Sequence, residues 1–130
     1  MKRLLQQAVA ALALIVTVAC SAADKAGVIE QTELLSRIED KTAPVILDVR
    51  SEAEYKSGHV PGAINVPYPD YQQPLDALSL KKGQEIIIYC ESGRRAGKVE
   101  KAMKEMGFFE IRHLEGDMRG WREADLATEQ

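Results

Sequence analysis

Cysteine is scarce in this 130-residue chain. There are two, Cys20 and Cys90, too few for a disulfide framework. Histidine is just as rare. Neither His59 nor His113 stands with cysteines or carboxylates in a metal-binding pattern, so no metal or cofactor is expected. Positive charge is not in excess. Seventeen Lys and Arg against 20 Asp and Glu leave −3, with no basic stripe, which argues against nucleic acid as a partner. Aromatics make up only 5% of the chain, and there is no internal repeat and no low-complexity tract. The length suits one domain and is too short for two.

Only one long hydrophobic run is present, residues 4–19, and it is too short and too quickly followed by polar residues to be a permanent span. With Lys2 and Arg3 before it, it reads as an export leader. Removing residues 1–19 deletes two positive charges and takes the net charge from −3 to −5. Val16-Thr17-Val18-Ala19-Cys20 is similar to a lipoprotein signal, in which Cys20 becomes the lipidated N-terminus. The competing expectation is ordinary cleavage after Ala22 or Ala23, which would extend the leader to residues 1–23. Either way Cys90 keeps no internal disulfide partner. The expected location is the periplasm, on the outer membrane through Cys20 or soluble under the alternative, and the lipid is the only expected membrane contact.

The chemistry is concentrated in residues 85–107, EIIIYCESGRRAGKVEKAMKEMG. Residues 85–90 are apolar and β-branched without a break, which predicts a strand buried on both faces. Ala96, Val99, Met103 and Met106 then recur at helical spacing, and Gly107 stands where a left-handed cap belongs. Cys90 falls at the junction of strand and helix. The loop Glu91, Ser92, Gly93, Arg94, Arg95 turns sharply, and free N–H groups, the helix dipole and two arginines there favour an anionic sulfur. A buried, inert cysteine is the plainer alternative. The glycine, the arginines and the placement favour a nucleophile.

Elsewhere strands and helices alternate. Val28 and Ile29 begin a short strand, and Thr32 is placed to cap a helix with Leu34, Leu35 and Ile38 on one face. Residues 45–49 form a second doubly buried strand, ending at Asp48 and Arg50. Ser51 and Glu54 have the spacing of a capping box, and Gly58 stops the helix that follows. A short strand is predicted over 63–66, irregular or briefly helical chain over 68–80, a last strand over 110–114, and a terminal helix over 118–124 anchored by Trp121. This alternation predicts an α/β sheet, parallel or mostly so, with helices on both faces and the site at the carboxyl ends of its strands.

LDVRSEAEYKSGHVPGAINVPY, IIIYCESGRRAGK and HLEGDMRGW, in that order, resemble a single-domain rhodanese, the thiosulfate sulfurtransferase-like family, of an exported bacterial type. The resemblance implies a mainly parallel five-stranded sheet flanked by helices. It divides the chain into a leader, a tether over 20–27, the domain over 28–125 and a tail over 126–130. It implies that Cys90 is the nucleophile, taking sulfane sulfur from a donor such as thiosulfate and passing it from a persulfide to a thiol, cyanide or protein acceptor. The N–H groups of Glu91, Ser92, Gly93, Arg94, Arg95 and Ala96 are implied to cradle the sulfur, and Arg95 to orient an anionic donor or the leaving sulfite. Asp48 and Arg50 are given a supporting role or simple mutual pairing, and His59 and His113 structural roles. Related phosphatases carry their arginine one residue later, where this chain has Ala96. Two departures stand out: Asp117 follows Gly116 where the family has a second glycine, and Glu91 puts negative charge beside the nucleophile. A persulfide carrier or sensor with little turnover on thiosulfate is the rival expectation.

Overall fold

The computed structural model describes residues 27–130. The leader and residues 20–26 of the tether, Cys20 among them, lie outside the described residues. Five strands, β1 (Val28–Ile29), β2 (Val45–Asp48), β3 (Ile64–Asn65), β4 (Ile86–Tyr89) and β5 (Ile111–Leu114), form one sheet in the order β1-β5-β4-β2-β3. Every pairing is parallel, so the sheet is wholly parallel rather than mainly so. Among the described residues four helices connect the strands, α1 (Gln31–Glu39), α2 (Glu52–Lys56), α3 (Gln72–Ala77) and α4 (Arg94–Glu105), and α5 (Asp117–Glu123) follows β5.

Strand β4 lies in the middle, with Asp48 opposite Tyr89 on one side and Ile88 opposite His113 on the other. All four of its residues are buried, as an apolar run without polar alternation requires. The pleat sends Ile86 and Ile88 to one face and Ile87 and Tyr89 to the other. On the first face they meet Leu47, Leu75 of α3, and Val99 and Met103 of α4. On the second they meet Leu34 of α1, Ile46, and Met118 and Trp121 of α5.

Local signals mostly set the ends of these elements. Ser51 and Glu54 close the capping box of α2. Helix α4 ends through Gly107 at φ 98°, with its N–H on Lys104 and the Phe108 N–H on Met103, which is the Schellman pattern. Two expectations change. Thr32 is not a cap, because the Leu34 N–H already bonds the Glu30 carbonyl and the helix starts at Gln31. Met106 is 39% exposed, because the chain turns at Gly107 and Phe108 takes the place against the core.

Residues 126–130, expected as a tail, are fastened down. Glu129 exchanges backbone hydrogen bonds with His59 at 2.9 Å, and the Trp121 indole donates to the Ala127 carbonyl at 2.9 Å. His59 is buried, with its ring stacked on Tyr55 at 3.7 Å and Nδ1 at 2.9 Å from the Tyr55 carbonyl.

Candidate active site at the turn from strand β4 into helix α4

Because all strands run the same way, their carboxyl ends share one edge, and Cys90 leaves β4 there. The residue is 1% exposed. Gly93 takes φ 95°, a left-handed conformation, and its N–H reaches the Cys90 Sγ at 3.0 Å. No side chain caps the start of α4, so the first N–H groups of the helix are left without a side-chain acceptor. Ser92 and Arg94 are exposed, Arg95 is half-buried, and Ala96 is buried in the core beneath the loop.

Arg95 is not free. Its guanidinium grips Glu54 of α2 in a fork, Nη1 to Oε2 at 2.7 Å and Nη2 to Oε1 at 3.0 Å. The Arg95 hydrogen bond, with further bonds from Ser51, outweighs burial and holds the Glu54 carboxyl at about 2 against an ordinary 4.5. The Arg95 proton is held more tightly than usual, chiefly by Glu54 and further by the adjacent Cys90 sulfur. The Arg95 fork is thus taken by a carboxylate beside the loop that carries the candidate nucleophile. Glu91 points its charge elsewhere. Its carboxylate is paired with Arg122, with a second contact of 3.1 Å, and lies 3.9 Å from Arg50.

Asp48 and Arg50 are buried and joined to one another, with Nε donating to both carboxylate oxygens at 3.1 Å and Nη2 to Oδ2 at 2.7 Å. Arg50 also donates to the Gly58 carbonyl at 2.8 Å, and the Tyr89 hydroxyl donates to Asp48 Oδ2 at 2.7 Å. Burial works against the Arg50 charge, and the Asp48 carboxylate more than offsets it. The Tyr89 hydroxyl is pushed far up, first by burial and then by Asp48. The network ties β2, β4 and the turn at Gly58 together.

Two groups at the site escaped sequence reasoning. Glu54 carried a signal only as a capping residue, and nothing local announces a partner 41 positions away. Asp117 was visible only as a departure in a glycine turn, yet its Oδ1 accepts the Cys90 N–H at 3.0 Å. His113, expected to be structural, lies 2.9 Å from the same oxygen through Nε2.

A family model described as a rhodanese-like domain matches residues 30–124. The chain is 34% identical over 102 residues to a thiosulfate:glutathione sulfurtransferase of Saccharomyces cerevisiae, covering 68% of this chain and 73% of that protein. It is 37% identical over 76 residues to the putative sulfur carrier protein YrkF of Bacillus subtilis, covering 58% of this chain but only 40% of the relative. Among solved structures, the rhodanese-like domain of the Alr3790 protein from Anabaena superposes with a TM-score of 0.69 at 28% identity, covering 79% of this chain and 78% of that one.

The buried ion pair generates a stability prediction. Asp48→Asn leaves the Arg50 guanidinium without its counter-charge in the interior and is expected to cost about 3 kcal/mol in urea unfolding. A loss of less than about 1 kcal/mol would show that Asp48 and Arg50 do not hold this corner together.

Proposed function

The chain belongs to the rhodanese-like domain family, and we propose that it is a sulfurtransferase that carries sulfane sulfur on Cys90 as a persulfide. The observation that carries this reading is the Cys90 sulfur at the end of β4, receiving the Gly93 N–H at 3.0 Å at the start of a helix that opens with Arg94 and Arg95. The Cys90 thiolate attacks the outer sulfur of thiosulfate. A new S–S bond forms, the old one breaks, and sulfite leaves with the electron pair. An acceptor thiolate or cyanide then attacks the terminal sulfur of the persulfide and Cys90 leaves as thiolate. Neither step needs a general base once the thiolate exists. What the protein contributes is placement and a field of donors where negative charge resides, from the loop amides of residues 91–96 and from Arg95.

A second reading, a persulfide carrier that serves a protein acceptor and turns over poorly on thiosulfate, is favoured by one observation. Both ends of the Arg95 fork are occupied by Glu54, so an anionic donor must compete with a resident carboxylate for that cation. Steady-state turnover set against single-turnover sulfur loading separates the two readings. Export remains part of the proposal on the pattern of residues 2–20 alone, with Cys20 as the lipid attachment point on the outer membrane.

Incubation with thiosulfate is expected to add one sulfur atom to the protein by mass spectrometry, and cyanide to remove it as thiocyanate. Sulfur loading by Cys90→Ser would overturn the assignment. Arg95→Lys keeps the charge but loses the planar fork, and kcat/KM for thiosulfate is expected to fall roughly tenfold or more. Wild-type rates in that variant would leave Arg95 as a tether for Glu54 only. In fractionated cells, Cys20→Ala is expected to leave the membrane pool or to accumulate as uncleaved precursor. A wild-type protein found wholly soluble, starting at Ala23 or Asp24, would refute lipidation.

A further inference from the structure

Sulfur transfer through Cys90 makes no direct use of Asp117, yet Asp117 is placed at some expense. Its backbone sits at φ 54°, a conformation natural to glycine, and the residue is only 6% exposed. Oδ1 accepts both the Cys90 N–H at 3.0 Å and a bond from His113 Nε2 at 2.9 Å. Oδ2 lies 3.0 Å from where a Cβ on Gly93 would stand, so Asp117 touches both ends of the turn. On the other side of the imidazole, Nδ1 lies 3.4 Å from Glu100 Oε2, and Lys104 pairs with Glu100 at 2.7 Å. Both ring nitrogens therefore face carboxylates, an arrangement that suits a ring carrying both protons.

We propose that Asp117 is the positioning residue of the Cys90 loop, gripping the backbone of the nucleophile, and that the His113 imidazolium, bridging Asp117 to Glu100, holds that grip. The proposal rests on the sulfur-transfer reading for its effect on activity. The carboxylate is the gain that offsets the left-handed backbone: glycine here would relax the chain and lose the anchor. The groups that face His113 are Asp117 from α5, Glu100 from α4 with Lys104 behind it, and Cys90 across the shared Asp117 oxygen. The Asp117 hydrogen bond raises the affinity of His113 for its proton against the pull of burial, and Glu100 adds to it. The bridge is therefore complete below the ordinary histidine value of about 6.5 and is lost as pH rises through the higher folded value. Once neutral, the ring has one N–H for two carboxylates, and the grip on Cys90 loosens.

Two readouts test this: hydrogen exchange of the Cys90 amide by NMR, and sulfur loading from thiosulfate, each from about pH 6 to about pH 9 where a raised histidine titrates. Asp117→Gly is expected to lose about tenfold in amide protection and about tenfold in loading rate. Asp117→Asn, which keeps an acceptor for the amide, is expected to stay within about threefold of wild type in both. His113→Gln keeps a donor but has no proton to lose, so the alkaline decline in amide protection expected of the wild type should disappear. If Asp117→Gly matches wild type in both readouts, or if His113→Gln declines with pH as wild type does, the proposal is overturned. A wild type that takes up no sulfur overturns the transfer reading alone, because amide exchange still decides the grip. Should Asp117→Gly fail to fold, the His113→Gln profile decides by itself.

Discussion

Parallel pairing of β4 with β2 and β5 brings the carboxyl ends of these strands to one edge of the sheet, and the candidate sulfur chemistry hangs from that edge. The constraint comes from burial. A strand apolar on both sides must sit in the middle of the sheet with helices over each face, and such a strand can meet solvent chemistry only where it ends. Cys90 is the first residue past that end. Its neighbours follow from the same register: Tyr89 opposite Asp48 closes the buried network to Arg50, and Ile88 opposite His113 brings the imidazole level with the turn.

Around this edge the carboxylates are matched with cations. Glu54 is held by Arg95, Glu91 by Arg122 with Arg50 nearby, and Asp117 by His113. The pairing changes what Glu91 means. Read along the chain, it is a negative charge next to the nucleophile. In space its charge is directed to two guanidinium groups, so its repulsion of an anionic sulfur or donor is largely offset. Arg95 gives the complementary case. A fork that suits a donor anion is already occupied by a side-chain carboxylate, and entry of the anion becomes an exchange of partners. The difference between a thiosulfate enzyme and a protein-directed carrier can lie in that exchange.

The sequence carried the fold far better than the site. Strand burial, the Ser51–Glu54 box and the Gly107 cap are local, each written within a few residues, and they can be read without tertiary information. Thr32 misled because a good capping side chain does not decide where the helix starts; the exit of β1 at Ile29 does. Met106 misled because helical periodicity runs on past the point where the chain has turned. At the site, Cys90, Gly93 and Arg95 lie in one loop and were legible together. The pairing of Glu54 with Arg95 and the hold of Asp117 on Cys90 join residues 41 and 27 positions apart, and composition or spacing cannot announce such contacts.

Under the proposed sulfur transfer, a thiolate attacking sulfane sulfur requires little from its protein beyond being in the right place, so anchorage of Cys90 becomes the dominant contribution. Cys90 is fixed at three polar groups: its N–H on Asp117 at 3.0 Å, its carbonyl under the Met118 N–H at 2.9 Å, and its sulfur under the Gly93 N–H at 3.0 Å. Two of the three anchors come from α5, one through the Asp117 carboxylate and one through the Met118 amide. A left-handed aspartate costs about 1 kcal/mol relative to glycine, and a hydrogen bond to a carboxylate returns at least as much. The balance therefore favours keeping Asp117 only while its carboxylate is bonded. The backbone of α5 and the side-chain oxygen of Asp117 are two halves of one support for the sulfur.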